Sequence, residues 1–344
     1  MVFATKIGTF VSKYIMEIVL SGIRSTGHLH LGNYYGALRN FTRMQDNYRC
    51  YFFIADLHSL TTHPKSEDFH AGVKAILAEY LAAGLDPEKV SLFVQSNIPE
   101  VSELYVLLNM IAYKGELERT ASFKEKIRGR EENVNAGLLT YPVLMAADIL
   151  IHRAHYVPVG KDQEQHLEMT RVFARRFNTL YSTDVFPEPQ AFNFGSDLVR
   201  IPGLDGSGKM GKSEGNGIYL IDDEKTIHKK VMRAVTDSGP TQPNSPMPES
   251  IQNIFALMKV VSTPDTVASF TEKYNNCTIR YGDLKKQLAQ DICTQVNPIR
   301  ERIDVIYNDD AYLRYVVEKG TAEARASAQA TMKEVRKAVG FKTF

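Results

Sequence analysis

Tryptophan is missing from all 344 residues, and cysteine is scarce. The three cysteines, Cys50, Cys277 and Cys293, are scattered along the chain. With no C-x-x-C pair, neither a zinc ribbon nor an iron–sulfur cluster is expected. So few thiols, and an odd number of them, fit a reducing compartment, which makes a cytoplasmic location the expectation. His152, His155 and His166 lack tight ligand spacing, so no protein metal site is expected. No apolar run approaches the roughly 20 residues of a membrane span, so no membrane partner is expected. An excess of charge is missing too. Lysine and arginine total 41 against 40 acidic residues, a net +1. Any nucleic-acid contact must therefore come from local basic patches. The missing tryptophan excludes nothing by itself, because long chains often lack a rare residue.

What is present is ordinary for a globular protein, with 44% apolar and 24% charged residues. The length allows two domains and a sizeable core. Residues Met1–Met16 have no apolar stretch suited to a signal peptide and read as an uninvolved extension. Glu17–Leu20 reads as a strand, followed by a turn bearing Gly22 and Gly27 and a helical pattern over Tyr34–Gln45. A helix N-terminus of that kind offers free N–H groups to an anion. Cys50–Ala55 is continuously apolar, as in a strand buried on both faces of a parallel sheet. Phe69–Ala83 is helical in period and stops at Gly84. Ser91–Gln95 is a third strand. The β-α-β-α-β order predicts a doubly wound, Rossmann-like α/β domain. Pro99–Arg128 reads as helical, inserted at about 98–137 between the two halves of the sheet. Tyr156–Val159 and Asp197–Ile201 are further strands, and Asp184–Ser196 reads as irregular. After Gly217 only helical patterns follow, over Lys225–Val235, Pro248–Val261, Thr266–Tyr274, Leu284–Gln295 and most of Pro298–Val339. The expected division is an extension at 1–16, a catalytic domain at 17–217 and an all-α domain at 218–344.

Two stretches carry chemistry. The first is Asp205–Asn216, DGSGKMGKSEGN, where Lys209 and Lys212 sit among glycines. Glycines let backbone amides approach an anion closely. From Gly203 the spacing is that of a P-loop, yet Met210 stands where a P-loop needs a magnesium-binding Ser or Thr, and the segment lies late in the chain. The second is Leu138–His152, apolar apart from Asp148. Tyr141, Met145 and Asp148 share one helix face at spacings of four and three. A lone carboxylate in such a run needs a partner. An apolar slot with one acceptor suits an indole, whose ring carries a single N–H donor.

Lys209–Ser213, KMGKS, resembles the KMSKS loop of class I aminoacyl-tRNA synthetases, with Gly211 for the first serine. His30–Asn33, HLGN, resembles their HIGH motif, and the two occur in the expected order. SGIRSTG, GNYYGAL and V-P-V-G-K-D-Q-E-Q-H (157–166) resemble the bacterial tryptophanyl branch, from about Glu17 to the C-terminus. The resemblance implies tryptophan activation by ATP with Mg2+ carried on the nucleotide, and transfer to tRNA. It implies ATP contacts from Arg24, Ser25, His30, Gly32, Asn33, Gly160, Asp162, Lys209, Met210, Gly211, Lys212 and Ser213. In FKEK it offers Lys124 and Lys126 as further phosphate contacts. Leu20, Met145, Val157 and Val159 would enclose the indole, Asp148 would accept its N–H, Tyr141 and Gln163 would hold the amino group, and His58 would lie alongside. The inserted helices would make a homodimer, and the helical domain would carry the tRNA anticodon. The alternatives are a tyrosyl-tRNA synthetase, a small nucleotidyltransferase of the same superfamily, which would not need the helical domain, and a non-catalytic RNA-binding or regulatory paralogue.

Overall fold

The computed structural model describes residues 16–128, 134–160, 163–192, 201–206, 208–211 and 215–342. Strand β1 is Ile18–Ile23. Three helical segments then run on as one, α1: Leu31–Asn33, a π-helical Tyr34–Leu38, and Arg39–Met44. Strand β2 is Arg49–Ile54, helix α2 Ser66–Ala82 and strand β3 Val90–Val94. Helices α3, Pro99–Asn109, and α4, Ala121–Ile127, are separated by a short turn of helix at Lys114–Leu117. Helix α5, Tyr141–Ile151, leads to strand β4, Tyr156–Val157, helix α6, Glu164–Leu180, and strand β5, Gln190–Ala191.

The five strands among the described residues are all parallel, in the order β3-β2-β1-β4-β5. The sheet is doubly wound, as the alternation of strands and helices predicts. The alternation along β2 shows why both faces are covered. Cys50, Phe52 and Ile54 enter one apolar cluster with α1 and α2; Tyr51 and Phe53 enter the other with α3, α5 and α6. The order reverses between β1 and β4, and ligands of open α/β sheets bind beyond the strand ends at such a point.

Several expectations are revised. Residues 184–192 are not wholly irregular, since β5 lies there and pairs with β4. The strand expected over Asp197–Ile201 falls outside the described residues except for Ile201. The helical patterns after residue 217 become α7, Glu224–Met232; α8, Glu249–Val261; α9, Pro264–Asn275; α10, Tyr281–Tyr307; and α11, Asp310–Val339. Helix α10 continues straight through Pro298. Val296, Ile299 and Ile303 on either side of it are buried, so packing outweighs the missing N–H. The break comes ten residues later, where the Asp309 side chain caps Tyr312 N.

Helix α11 returns to the sheet and covers the β3 edge. A Cβ at Gly320 would lie 2.0 Å from the Leu92 carbonyl, so only glycine allows this approach. Ala324, Ala328, Met332 and Val335 of α11 complete the cluster around α3 and α5. Between these elements sits His152, 2% exposed, stacked on Tyr51 at 4.5 Å with its Nδ1 3.2 Å from Ser327 Oγ. Burial pushes its pKa from the usual 6.5 down to about 3. In that interval the unfolded chain takes up a proton that the fold refuses, so stability falls as pH drops through it. Between pH 7 and pH 5 this one group is expected to remove about 2 kcal/mol. Urea unfolding at the two pH values should show that loss in the wild type and a smaller one in His152→Gln. Equal losses would show that His152 is not responsible.

Candidate active site

After β1 the chain turns through Gly27, at φ +66°, and runs extended into His30, the N-cap of α1. The His30 ring nitrogen Nδ1 accepts from Asn33 N at 3.2 Å, and Asn33 Oδ1 accepts from His30 N at 3.2 Å. This reciprocal cap orients both side chains at the helix N-terminus. A Cβ at Gly32 would come within 2.8 Å of the His30 ring.

The lysine loop arrives at the same place. Residues 218–220 lie antiparallel to 29–31: Leu31 N donates to Ile218 O and Leu220 N to Leu29 O, both at 2.9 Å. Met210, between the two lysines, is 1% exposed. Its Cβ is 3.5 Å from the Cβ position of Gly32, and its Cγ is 3.2 Å from that of Gly217. The loop is folded around Asn216. Asn216 Oδ1 accepts from Gly211 N at 3.0 Å, while its Nδ2 donates to Asp205 Oδ1 at 3.1 Å and to Lys209 O at 3.2 Å. The Lys209 side chain is exposed beside this joint. Lys212 and Ser213 lie outside the described residues.

Behind the joint, Glu79 of α2 is fully buried. It accepts from Leu29 N at 2.7 Å and lies 2.6 Å from His28 Nδ1, so it fixes the strand that carries His30. Sequence reasoning missed it, although a carboxylate inside the apolar run Ala75–Ala83 was a usable signal. Ser25 is buried, its amide and hydroxyl both meet Ser59 Oγ, at 3.1 and 3.0 Å, and its carbonyl packs on Gly72. Arg24 is exposed. It is close enough to Tyr141 to lower that phenol's pKa, against the larger rise caused by burial.

The second part of the site is built on α5. Asp148 is 4% exposed, and its Oδ2 lies 2.9 Å from His58 Nε2. Gln95, just after β3, donates from Nε2 to both carboxylate oxygens, at 2.8 and 2.9 Å. Burial raises the Asp148 pKa, and the bonds from His58 and Gln95 pull it back. A carboxylate has about four lone-pair positions, so room for a further donor remains. Gln95 was missed from the sequence. His58 Nδ1 is buried without a hydrogen-bond partner among the described residues.

A line of rings leads away from this carboxylate. Tyr141 lies 4.3 Å from His58 and 5.8 Å from His166. His166 Nδ1 is 2.9 Å from Gln163 Oε1, and its Nε2 is 2.6 Å from Ser122 Oγ. Ser122 belongs to α4, and Ala121 N donates to Gln165 Oε1 at 2.9 Å. Helix α4 is thereby docked on α6 with Lys124 exposed; the Lys126 side chain is outside the described set. Leu20 and Val157 are buried at the base, with Met145 and Val159 partly buried against the same cluster. Gly160 O accepts from Gln163 N at 2.9 Å. Asp162 is not among the described residues. Among the described residues, no cluster of three His, Cys, Asp or Glu is placed to hold a metal.

A sheet of this topology binds its ligands at the switch point, and here a capping histidine and a lysine loop meet at the N-terminus of the helix that follows β1. The family model for class I tRNA synthetases (W and Y) matches residues 16–295, and the chain belongs to that family. Within it, the chain is 62% identical over 327 residues to the tryptophan–tRNA ligase of Porphyromonas gingivalis, covering 95% of this chain and all of that one. The tryptophan–tRNA ligase of Treponema pallidum is 42% identical, covering 94% and 96% of the two chains. Among solved structures, the tryptophanyl-tRNA synthetase of Campylobacter jejuni, in complex with ADP and tryptophan, matches with a TM-score of 0.84 at 31% identity, over 94% of this chain and 100% of that one.

Proposed function

We propose that this chain is a tryptophan–tRNA ligase. The tryptophan carboxylate attacks the α-phosphorus of ATP, releasing pyrophosphate and leaving tryptophanyl-adenylate. A terminal ribose hydroxyl of the tRNA then attacks the acyl carbon and AMP departs. The observation that supports this reading is the approach of Met210, the residue after Lys209, to Gly32 at the N-terminus of α1.

The attacking carboxylate needs no activation, so the barrier lies in alignment and in charge on the leaving pyrophosphate. In this reading, His30, Gly32 and Asn33 present the end of α1 to ATP, with Arg24 at its edge and Gly160 and Asp162 on the adenosine side. Lys209 and Lys212, with Lys124 or Lys126, neutralise the leaving group together with the magnesium that ATP brings. Leu20, Met145, Val157 and Val159 enclose the indole, Asp148 accepts its N–H beside His58, and Tyr141 and Gln163 hold the amino group. The inserted helices leave Val106, Met110 and Tyr113 exposed at 52, 73 and 60%, an apolar face suited to a second copy of the chain. Residues 218–344 would carry the tRNA anticodon, in the cytoplasm. No helix among the described residues is long and apolar enough to cross a membrane.

The direct test is ATP–pyrophosphate exchange run with tryptophan, tyrosine or phenylalanine. Exchange dependent on tryptophan alone is expected. Exchange driven by tyrosine, or by none of the three, would overturn the reading.

A further inference from the structure

One buried cation is left unused by this chemistry. Lys285, in the first turns of α10, is 8% exposed. Its Nζ donates to the Ala234 carbonyl at 2.7 Å, to Thr236 Oγ1 at 3.3 Å and to the Met232 carbonyl at 3.5 Å. These groups lie at and just beyond the C-terminal end of α7. The last carbonyls of a helix have no partner within it, and a cation there also complements the helix dipole. Among the described residues no carboxylate forms an ion pair with Lys285, and burial holds its pKa below the usual lysine value. A charge kept in so costly a place must secure something.

What it secures is the root of the lysine loop. Val235, directly after Ala234, donates its N–H to Leu204 O at 3.0 Å. Leu204 N donates to Asn216 O at 3.1 Å. Asn216 in turn holds Gly211 N and the carbonyl of Lys209. A second tether comes from α8, where Asn253 Nδ2 donates to Gly206 O at 3.0 Å. The Cβ position of Gly206 lies 3.8 Å from Val235 Cβ and from Ser250 Cβ, so the loop base rests on both helices.

We propose that Lys285 is a positioning residue for amino-acid activation. By closing the end of α7 it fixes Val235. Through Leu204 and Asn216 it sets the backbone from which Lys209 reaches the ATP phosphates. The helical half of the chain thereby acts on the nucleotide site through a hydrogen-bonded path of four residues. The proposal rests on the ATP role assigned to Lys209, which the exchange assay on the wild-type protein tests separately.

Lys285→Met keeps most of the stem volume and removes the donors. It is expected to raise the KM for ATP and to slow adenylate formation by about tenfold to 100-fold. Tryptophan affinity should stay at the wild-type value. A lysine that merely supports the fold would weaken both substrates alike. Hydrogen exchange at the Val235 and Gly211 amides should accelerate in the variant. Should Lys285→Met fail to fold, Asn253→Ala removes the bond to Gly206 O with Lys285 in place and is expected to give a smaller loss confined to ATP. The proposal is overturned if folded Lys285→Met keeps the wild-type ATP kinetics or loses both affinities equally. It is likewise overturned if Lys285→Met does not fold and Asn253→Ala leaves the ATP kinetics unchanged.

Discussion

Replacing Lys209 with alanine is expected to slow tryptophan activation by about 100-fold or more, with tryptophan affinity unchanged. The reason is where the charge goes. Cleavage of the α–β bond leaves the departing pyrophosphate with charge that the ground state had shared with the adenylate. A cation aimed at that group is worth more in the transition state than before it, so its loss appears in the rate. The substitution should leave the loop in place. Asn216 grips the main-chain carbonyl of Lys209 rather than the side chain, and Met210 stays buried against Gly32 and Gly217. The absence of tryptophan from the chain makes the binding half of the test clean. Excited in its own band, the ligand's indole is observed without a protein indole background. Pre-steady-state adenylate formation gives the other half. If affinity and rate fell by the same factor, Lys209 would be a ground-state binding group and its catalytic role would be lost.

The two halves of the site were legible in the sequence to different degrees. The strand at Cys50–Ala55 was readable because burial on both faces leaves an unbroken apolar run, and β2 lies there with a shift of one residue. The β5 strand was not readable. It is two exposed residues between prolines and polar groups, and only its backbone pairing with β4 defines it. Motif order foretold that residues near 30 and 210 converge. It could not foretell the means, an antiparallel bridge at His30 and Tyr219 and a methionine plug on a glycine. The polar supports were the least visible. Gln95 meets Asp148 across 53 positions, and Glu79 meets Leu29 across 50. Such pairs have no local period, because each partner is chosen by the fold rather than by its neighbours. The same limit hid the bonds of Ser25, which run inward to Ser59 across 34 positions.

Asp148→Asn is the second substitution expected to have a large effect, and it is expected to act on the other substrate. The carboxylate already takes bonds from His58 Nε2 and from Gln95 Nε2. An amide of the same shape keeps one acceptor and turns a second donor toward these groups. Gln95, His58 and an incoming indole N–H then compete for one acceptor oxygen in place of two, and one donor is left unmet. The unmet donor costs roughly 1–3 kcal/mol, which corresponds to a rise in the KM for tryptophan of about fivefold to 150-fold. ATP kinetics at saturating tryptophan should change little, because Asp148 stands on α5 and not among the phosphate-facing groups assigned above. Discrimination against phenylalanine should shrink as well, since the wild-type carboxylate rewards a donor that phenylalanine lacks. Gln95→Ala separates orientation from acceptance. It leaves the carboxylate its charge and its bond to His58, so a smaller rise in KM is expected. A KM for tryptophan at the wild-type value in Asp148→Asn would place the carboxylate outside the indole slot and reduce the His58–Asp148–Gln95 cluster to a buried strut.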